Sequence, residues 1–210
     1  IIKYNDTRLM PLDTEKMIKD IYQLANNRDF SNFLASGDDD FSFSLPNIGR
    51  FRVNAYRQRN SCAAVLRIVR FELPDPKKMH IPEIVCDLAN QKKGMILVTG
   101  PAGSGKSTTL ACIIDQINQK RNTHIITIED PIEYLYSHNK SIVSQREVFH
   151  DTKNYVAALK AALREAPEVI LVGEMRDLET IDIAITAAET GHLIFSSLHT
   201  VGAANTIDRM

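Results

Sequence analysis

Residues 94–108 read GMILVTGPAGSGKST, and this stretch decides which fold the chain can adopt. Met95–Thr99 is a short apolar strand, and Gly100–Thr108 matches the pattern G-x-x-x-x-G-K-[S/T]. Gly103 and Gly105 let the backbone curl so that its N–H groups point inward, and the following helix directs its positive dipole end to the same place. The stretch therefore predicts a phosphate-binding loop between a strand and a helix. The complete motif in this context disfavours a simple glycine-rich turn.

The side chains of this loop predict how a nucleotide is held. Lys106 can reach the β- and γ-phosphates, and the Ser107 hydroxyl can ligate Mg²⁺. We therefore expect ATP with Mg²⁺ as the ligand. The predicted nucleotide-binding residues are Gly100, Pro101, Ala102, Gly103, Ser104, Gly105, Lys106, Ser107 and Thr108.

Composition sets broad limits on function. Hydrophobic residues make up 44% and charged residues 24% of the 210 residues, as in ordinary soluble globular proteins. The formal net charge of −1 favours neither a nucleic-acid binder nor an acidic tail. Cys62, Cys86 and Cys112 lack paired C-x-x-C spacing, which argues against a zinc knuckle or disulfide framework and for a cytosolic protein. No apolar run approaches the roughly 20 residues of a membrane span, and no signal peptide is visible.

The pattern along the chain changes near residue 81. Residues 1–72 combine a helical apolar pattern with strand-like segments, which predicts a small α+β domain. Residues 73–80 hold prolines among charges and are expected to form a linker. Over 81–210, apolar strands alternate with amphipathic helices, which predicts an α/β domain with a mainly parallel sheet. Because the chain begins with Ile1 rather than Met and stops at Met210 in a helix-like segment, we expect a fragment of a longer protein.

Two glutamates follow predicted strands of this sheet. Glu168–Asp177 reads EVILVGEMRD, and its strand ends at Gly173 and Glu174, where many nucleotide hydrolases have an aspartate that helps to hold Mg²⁺. Glu129 and Asp130 end another strand, in ITIEDPIE. Since ligands bind at the carboxyl ends of strands in open α/β sheets, both glutamates are candidates to face the γ-phosphate. Glu174 is favoured as a base for water, and the alternative for each residue is a solvated charge at a strand end.

Two histidines flank the apolar strand in TGHLIFSSLHT. We interpret His192 as a hydrogen-bonded core residue. His199 follows the strand and precedes Thr200, so it is the candidate to bond a γ-phosphate or a catalytic glutamate and to report the nucleotide state.

A run of arginines without acidic residues characterises Gly49–Arg70. Arg67 is the most informative, because an arginine on an apolar strand face either extends its head group to solvent or meets an anion such as a nucleotide. The other side chains on its face include Ala63, Val65 and Val69. The alternative is a solvated basic strand.

A groove for nucleic acid is a further interpretation of the same strands, with Phe51 and Tyr56 as stacking platforms. The alternation of side chains along the predicted strand weakens the groove interpretation. Phe51, Val53 and Ala55 share one face of the predicted strand, as core residues would, and Arg52 lies on the other.

Taken together, the motifs resemble the secretion-superfamily ATPases, and within them the PilT-like retraction ATPases of type IV pili. DFSFSLPNIGRFRVNAY is similar to the end of the family's small N-terminal domain, and LVTGPAGSGKSTTLA is similar to its Walker A motif. ITIEDPIEY resembles the Asp box, APEVILVGEMRDLETI the Walker B motif and AETGHLIFSSLHT the His box. SQREV, together with DTKNYVAALKAALRE, resembles the retraction branch of the family.

The resemblance implies a RecA-like P-loop ATPase domain of α/β class, preceded by a smaller α+β, PAS-like domain, with a further helical part after Met210. It implies a homo-hexameric motor that hydrolyses ATP between its two domains to retract pili by pilin depolymerisation, which drives twitching motility. The implied partner is the inner-membrane platform protein of the pilus. The implied location is the cytoplasmic face of the bacterial inner membrane, without insertion into it and without nucleic acid.

The resemblance also implies roles for particular residues. Lys106 matches the family's phosphate-binding position and Ser107 its magnesium position. Glu129 matches the Asp box, Glu174 the Walker B base and His199 the His box. Arg52 and Arg67 match family arginines that close on the phosphates, and a third such arginine would fall at Asn60.

Three other functions remain open at this point. One is pilus assembly or type II secretion by an ATPase of the same superfamily. Another is a RecA-like DNA translocase or helicase that uses the arginine strands as its groove. The third is a nucleotide-gated regulatory subunit with weak hydrolysis.

Overall fold

A computed structural model describes residues 7–46, 48–69 and 72–210. Contacts divide the chain into two units, Ile1–Phe71 and Glu72–Met210, each with its own hydrophobic packing. The stretch predicted as a linker lies at the start of the second unit. It is tied there, because the carbonyl oxygen of Pro74 accepts a hydrogen bond from the Cys112 thiol at 3.3 Å.

The first unit is a three-stranded antiparallel sheet with two helices packed against its core face. Its elements are α1 (Pro11–Leu24), α2 (Ser31–Ser36), β1 (Asp38–Leu45), β2 (Gly49–Gln58) and β3 (Ser61–Val69). The strand order is β1-β2-β3, so β2 is central.

The side chains of β2 alternate between the core face and the opposite face of the sheet. Val53 and Ala55 are fully buried and belong to the same core cluster as Phe33 of α2. Arg52 lies on the opposite face, and the register places it directly across from Arg67 of β3. The core face predicted from the sequence is therefore confirmed for β2, and the two arginines share the face that this core does not use.

A two-residue loop joins β2 to β3. Gln58 pairs with Ser61, and the loop residues Arg59 and Asn60 have φ angles of 47° and 62°. Positive φ at both central positions is the pattern of a type I′ turn, whose twist suits a hairpin. Asparagine adopts this conformation more readily than most residues, which gives a local reason for Asn60 at this position. Arg70 lies outside the described residues.

The second unit is a five-stranded parallel sheet with helices on both faces. It opens with α3 (Glu83–Cys86) and a 3₁₀ helix (Asp87–Asn90). The strands are β4 (Gly94–Thr99), β5 (His124–Glu129), β6 (Ile142–Glu147), β7 (Val169–Glu174) and β8 (Leu193–Leu198). The helices are α4 (Lys106–Lys120), α5 (Tyr155–Ala162), α6 (Leu178–Glu189) and α7 (Ala203–Arg209).

The strand order β4-β8-β7-β5-β6 places the strand of the glycine-rich loop next to the last strand of the chain. One cluster packs α5 and α6 on one face of the sheet, with Ala158 and Ala184 fully buried. Another packs α4 on the other face through Ile113 and Ile117. The predicted α/β fold with a parallel sheet covered on both faces is confirmed.

The helices of the described residues are short. The longest, α4, has 15 residues. No helix in the described part of the chain combines the length and the apolar character needed to cross a bilayer.

The turn at Asn60 can be tested by substitution. Asn60→Val should lower the free energy of unfolding of the first unit by about 1–2 kcal/mol, because β-branched residues tolerate positive φ poorly. Asn60→Gly is the matched control, since glycine adopts this conformation without steric cost. Urea unfolding, with amide hydrogen exchange in β2 and β3, measures both variants. Equal stabilities of the two would contradict the turn assignment.

Candidate active site

The carboxyl ends of the parallel strands border a cavity of about 270 Å³, at the edge of the sheet where such folds bind ligands. It lies within the second unit. Its lining residues are Ala102, Gly103, Lys106, Ser107, Glu129, Asp130, Pro131, Glu133, Tyr155, Gly173, Glu174, Ser197 and His199. The structure thus brings together part of the predicted loop, both predicted glutamates and His199.

The glycine-rich loop leads directly into a helix. Gly103 and Gly105 have φ angles of 76° and 91°, which favour glycine, and α4 begins at the next residue, Lys106. The first N–H groups of a helix lack partners within it, and its dipole attracts anions. Loop and helix therefore form a cradle suited to phosphate. Of the loop residues outside the lining, Thr108 has its hydroxyl 3.0 Å from that of Tyr134.

Lys106 is buried at the floor of the loop, with only 9% of the residue exposed. Its ammonium donates hydrogen bonds of 3.0 Å to the carbonyl oxygens of Gly100 and Pro101. It also lies 3.5 Å from Nδ1 of His199. Since an ammonium can only donate, Nδ1 accepts here, and the proton of a neutral His199 is carried by Nε2. A phosphate entering the loop would compete with these carbonyls and with His199 for the lysine.

Glu174 ends β7 at a β-bulge. Val172 pairs with Ser196 of β8, but the next pair joins Glu174 to Ser197, so Gly173 is an extra residue. Its carbonyl oxygen accepts a 2.7 Å hydrogen bond from the Ser197 hydroxyl. Bulges of this kind redirect side chains next to functional sites. Here the bulge accompanies the placement of the Glu174 carboxylate on the cavity wall.

Packing against β5 favours glycine at the bulge. A Cβ atom on Gly173 would lie 3.2 Å from the carbonyl oxygen of Ile128 and 3.3 Å from Cα of Glu129. It would also lie 3.4 Å from the hydroxyl of Tyr155. Two of these neighbours are backbone atoms, which cannot move away as a flexible side chain can. The ends of β7 and β5 therefore approach closely, with a glutamate at the end of each.

Basic groups surround the Glu174 carboxylate. Nη2 of Arg176 lies 2.8 Å from Oε2, and Nε2 of His199 lies 3.7 Å from Oε1. The hydrogen bond from Arg176 lowers the pKa of Glu174. The charges of Arg176 and Lys106, and that of His199 when it is protonated, add to this effect against the cost of burial. Glu174 is therefore ionised near neutral pH and available as a proton acceptor.

Arg176 is a site residue that sequence reasoning missed. The motif alone did not distinguish it from a solvated charge next to a strand end. Its spacing of two residues from Glu174 was the available signal, because residues i and i+2 of an extended segment point to the same side.

Glu129 occupies a different environment at the end of β5. Its Oε1 accepts hydrogen bonds from the Thr127 hydroxyl at 2.6 Å and from the Gln145 amide at 3.5 Å. Burial raises the pKa of Glu129 to about 7, although hydrogen bonds from Thr127, Gln145 and the Glu133 backbone oppose the shift. The two predicted glutamates thus have pKa values displaced in opposite directions, which is how paired carboxyl groups take different roles.

The remaining predicted residues lie elsewhere. Arg52 is half-buried and Arg67 is exposed, and both belong to the first unit, whereas the cavity is lined by the second. Like charges directly opposite in a sheet repel, which makes this pair a candidate site for an anion. His192 is half-buried, with Nδ1 3.0 Å from the Ala187 carbonyl oxygen, as expected of a hydrogen-bonded structural residue.

The donor groups of the cavity fit a magnesium ion that arrives with a nucleotide. Among the described residues, no group of three or more His, Cys, Asp or Glu side chains could hold a metal ion. Ser107 supplies a hydroxyl on the cavity wall. Mg²⁺ keeps several waters and is commonly bound through one or two protein oxygens plus substrate phosphates. Ser107 therefore stays the predicted residue for holding it.

Comparison with known proteins places this geometry in context. The sequence matches the profile of the family described as type II/IV secretion system protein over residues 23–210. The type IV pilus retractation ATPase PilT of Pseudomonas aeruginosa is 48% identical over 205 residues, which cover 96% of this chain and 59% of that protein. A twitching motility protein of Neisseria gonorrhoeae is 54% identical over 171 residues, which cover 81% of this chain and 46% of that protein.

A solved structure is also similar. The crystal structure of the pilus retraction motor PilT with bound ADP has a TM-score of 0.88 and 54% sequence identity, covering 96% of this chain and 58% of that one. The chain thus spans 59% and 46% of the length of the two curated relatives named above.

The raised pKa of Glu129 predicts a pH-dependent stability. A carboxyl with an ordinary pKa of 4.5 and a folded value of about 7 loses stability as pH rises through this range, because the folded state binds the proton more tightly. Without nucleotide, Glu129→Gln should exceed the wild type by about 1–3 kcal/mol in free energy of unfolding near pH 8, and by far less near pH 4.5.

Urea unfolding at several pH values measures this difference. Glu133→Gln is the control, since it neutralises another carboxylate of the same cavity wall. A difference between Glu129→Gln and the wild type that stays constant with pH would show that the pKa of Glu129 is not raised.

Proposed function

Because the chain belongs to the type II/IV secretion system protein family, we propose that it acts in a motor that hydrolyses ATP to retract type IV pili. One observation carries the proposal. A cavity formed by the glycine-rich loop, Glu174 and His199 lies in a chain that is 48% identical, over 96% of its length, to a protein named as a pilus retraction ATPase. The ADP bound in the solved relative supports an adenine nucleotide as the ligand.

Binding begins at the loop. Lys106 exchanges its two carbonyl partners for phosphate oxygens, and the first N–H groups of α4 bond the same anion. Ser107 would hold Mg²⁺, which when bound would supply positive charge to the phosphates. Because Lys106 is already desolvated, its attraction to phosphate is only weakly screened by water.

Hydrolysis then depends on Glu174. Its carboxylate is ionised, lies on the cavity wall and presents Oε1 to the side on which His199 lies. In this position it orients a water molecule toward the γ-phosphate and accepts the proton at Oε1. Once a phosphate draws Lys106 away, His199 loses its partner at Nδ1 and becomes free to respond to the nucleotide. These roles for Glu174 and His199 are proposals.

Glu129 contributes a second carboxyl group with a different protonation state. With a pKa of about 7, it exists in both forms near neutral pH. A bound Mg²⁺ would favour the ionised form, and a hydrogen-bonded water next to it would then be polarised. We assign Glu129 to orienting water or the magnesium shell from the β5 side.

The first unit supplies the positive charge that the transition state needs. Arg52 and Arg67 lie opposite each other on the face of the sheet that does not enter the core, and a phosphate would relieve their repulsion. We propose that the two units move as rigid bodies in a homo-hexamer and that these arginines close on the nucleotide. The inner-membrane platform protein of the pilus is the proposed partner, at the cytoplasmic face of that membrane.

Two variants separate binding from hydrolysis. Glu174→Gln should bind ATP with little change and lose at least about 100-fold in turnover, because the amide cannot accept the proton. Lys106→Ala should lose ATP binding itself, because it removes the buried ammonium from the loop. Calorimetric titration with ATP and a phosphate-release assay measure both. If Glu174→Gln abolished binding of magnesium–ATP, Glu174 would be a ligand and its proposed role would be wrong.

The direction of the motor is tested in cells. Deletion of the gene should give hyperpiliated cells without twitching motility, because pilins are added and not removed. Complementation with the wild-type gene should restore retraction, and the Glu174→Gln gene should not. Cells without pili would instead indicate the assembly branch of the superfamily.

A further inference from the structure

Three of the four residues that follow Gly173 contact different parts of the molecule. Glu174 lines the cavity, whereas Met175 is 2% exposed and packs in the core cluster under α5 and α6. Asp177 caps α6, accepting a 2.8 Å hydrogen bond from the backbone N–H of Thr180. Arg176 lies between these two anchors, so its backbone is held on both sides.

The side chain of Arg176 turns back toward Glu174. Although it is 70% exposed, its Nη2 lies 2.8 Å from Oε2 of Glu174, whose side chain is only 20% exposed. Ion pairs with an exposed partner contribute little to folding stability. This contact therefore has little value as a structural support, and its position beside the candidate base suggests another role.

We propose that Arg176 is a positioning residue for Glu174, holding Oε2 so that Oε1 faces the cavity and the attacking water. The inference rests on the proposed function, in which Glu174 accepts the proton. The geometry supports it because the two carboxylate oxygens have separate surroundings. Nη2 of Arg176 lies 2.8 Å from Oε2, whereas Nε2 of His199 lies 3.7 Å from Oε1.

Lys106, inside the cavity, competes with Arg176 for the Glu174 carboxylate. Lys106 lies 3.5 Å from Nδ1 of His199, and His199 lies 3.7 Å from Glu174, so the two charges are separated by one imidazole ring. A carboxylate released by Arg176 is free to turn toward the lysine, which attracts it. Such a turn would misplace the base and occupy the ammonium that has to meet the phosphate. Arg176 opposes both.

Steady-state ATP hydrolysis by the full-length protein tests the proposal. Arg176→Ala should lower kcat by at least about 10-fold and leave KM within about two-fold, because the carboxylate loses its orientation while the phosphate site stays intact. Arg176→Lys should recover most of the loss, since an ammonium can also donate to Oε2. Arg164→Ala is the matched control, because Arg164 is an exposed arginine whose hydrogen bond goes to the Lys160 carbonyl oxygen and not to Glu174.

Thermal unfolding shows whether each variant is folded, and the melting temperatures of Arg176→Ala and Arg164→Ala should both match that of the wild type. A kcat of Arg176→Ala equal to that of Arg164→Ala would overturn the proposal. So would a raised KM with unchanged kcat, which would make Arg176 a nucleotide contact instead.

The parallel Glu174→Gln measurement keeps this inference separate from the proposed function. Full turnover in Glu174→Gln would remove Glu174 as the base and the positioning role with it. An inactive Glu174→Gln beside a fully active Arg176→Ala would overturn only the inference about Arg176.

Discussion

The close approach of β7 to β5 at Gly173 is the constraint on which the candidate site depends. A Cβ atom at this position would lie 3.2 Å from the carbonyl oxygen of Ile128 in β5, so the close approach of the two strands favours a residue without a side chain. The bulge at the same residue shifts the pairing with β8 by one position. A strand-end carboxylate therefore comes one residue later than in many nucleotide hydrolases, and it reaches the cavity as the longer side chain of Glu174.

Electrostatics then gives two similar residues, Glu174 and Glu129, different pKa values. Glu174 and Glu129 both end strands and both line the cavity, but they differ in surroundings. Arg176 keeps the first ionised, whereas burial brings the pKa of the second to about 7. The pattern matches catalytic sites in which the environment of each carboxyl group sets its task. The same cavity holds Lys106 in a chain of contacts that a phosphate would have to break.

The first unit contains a local conflict of the kind that often marks a functional site. Its hairpin turn and buried residues favour the observed fold, yet Arg52 and Arg67 lie opposite each other on neighbouring strands. Repulsion between them costs stability, and an anion would reverse the sign of that cost. This face of the first unit is therefore a candidate site for an anion.

By itself, the sequence determined features that depend on a few neighbouring residues. The glycine-rich loop is contiguous, so its glycines and Lys106 could be placed at a helix start, and alternation along β2 identified Val53 and Ala55 as core residues. Only the tertiary structure decided the strand order, the bulge at Gly173, the Arg176–Glu174 pair and the pKa of Glu129. Strand register and side-chain burial arise from contacts between segments far apart in the chain. The local sequence pattern does not indicate which of these segments will pack together.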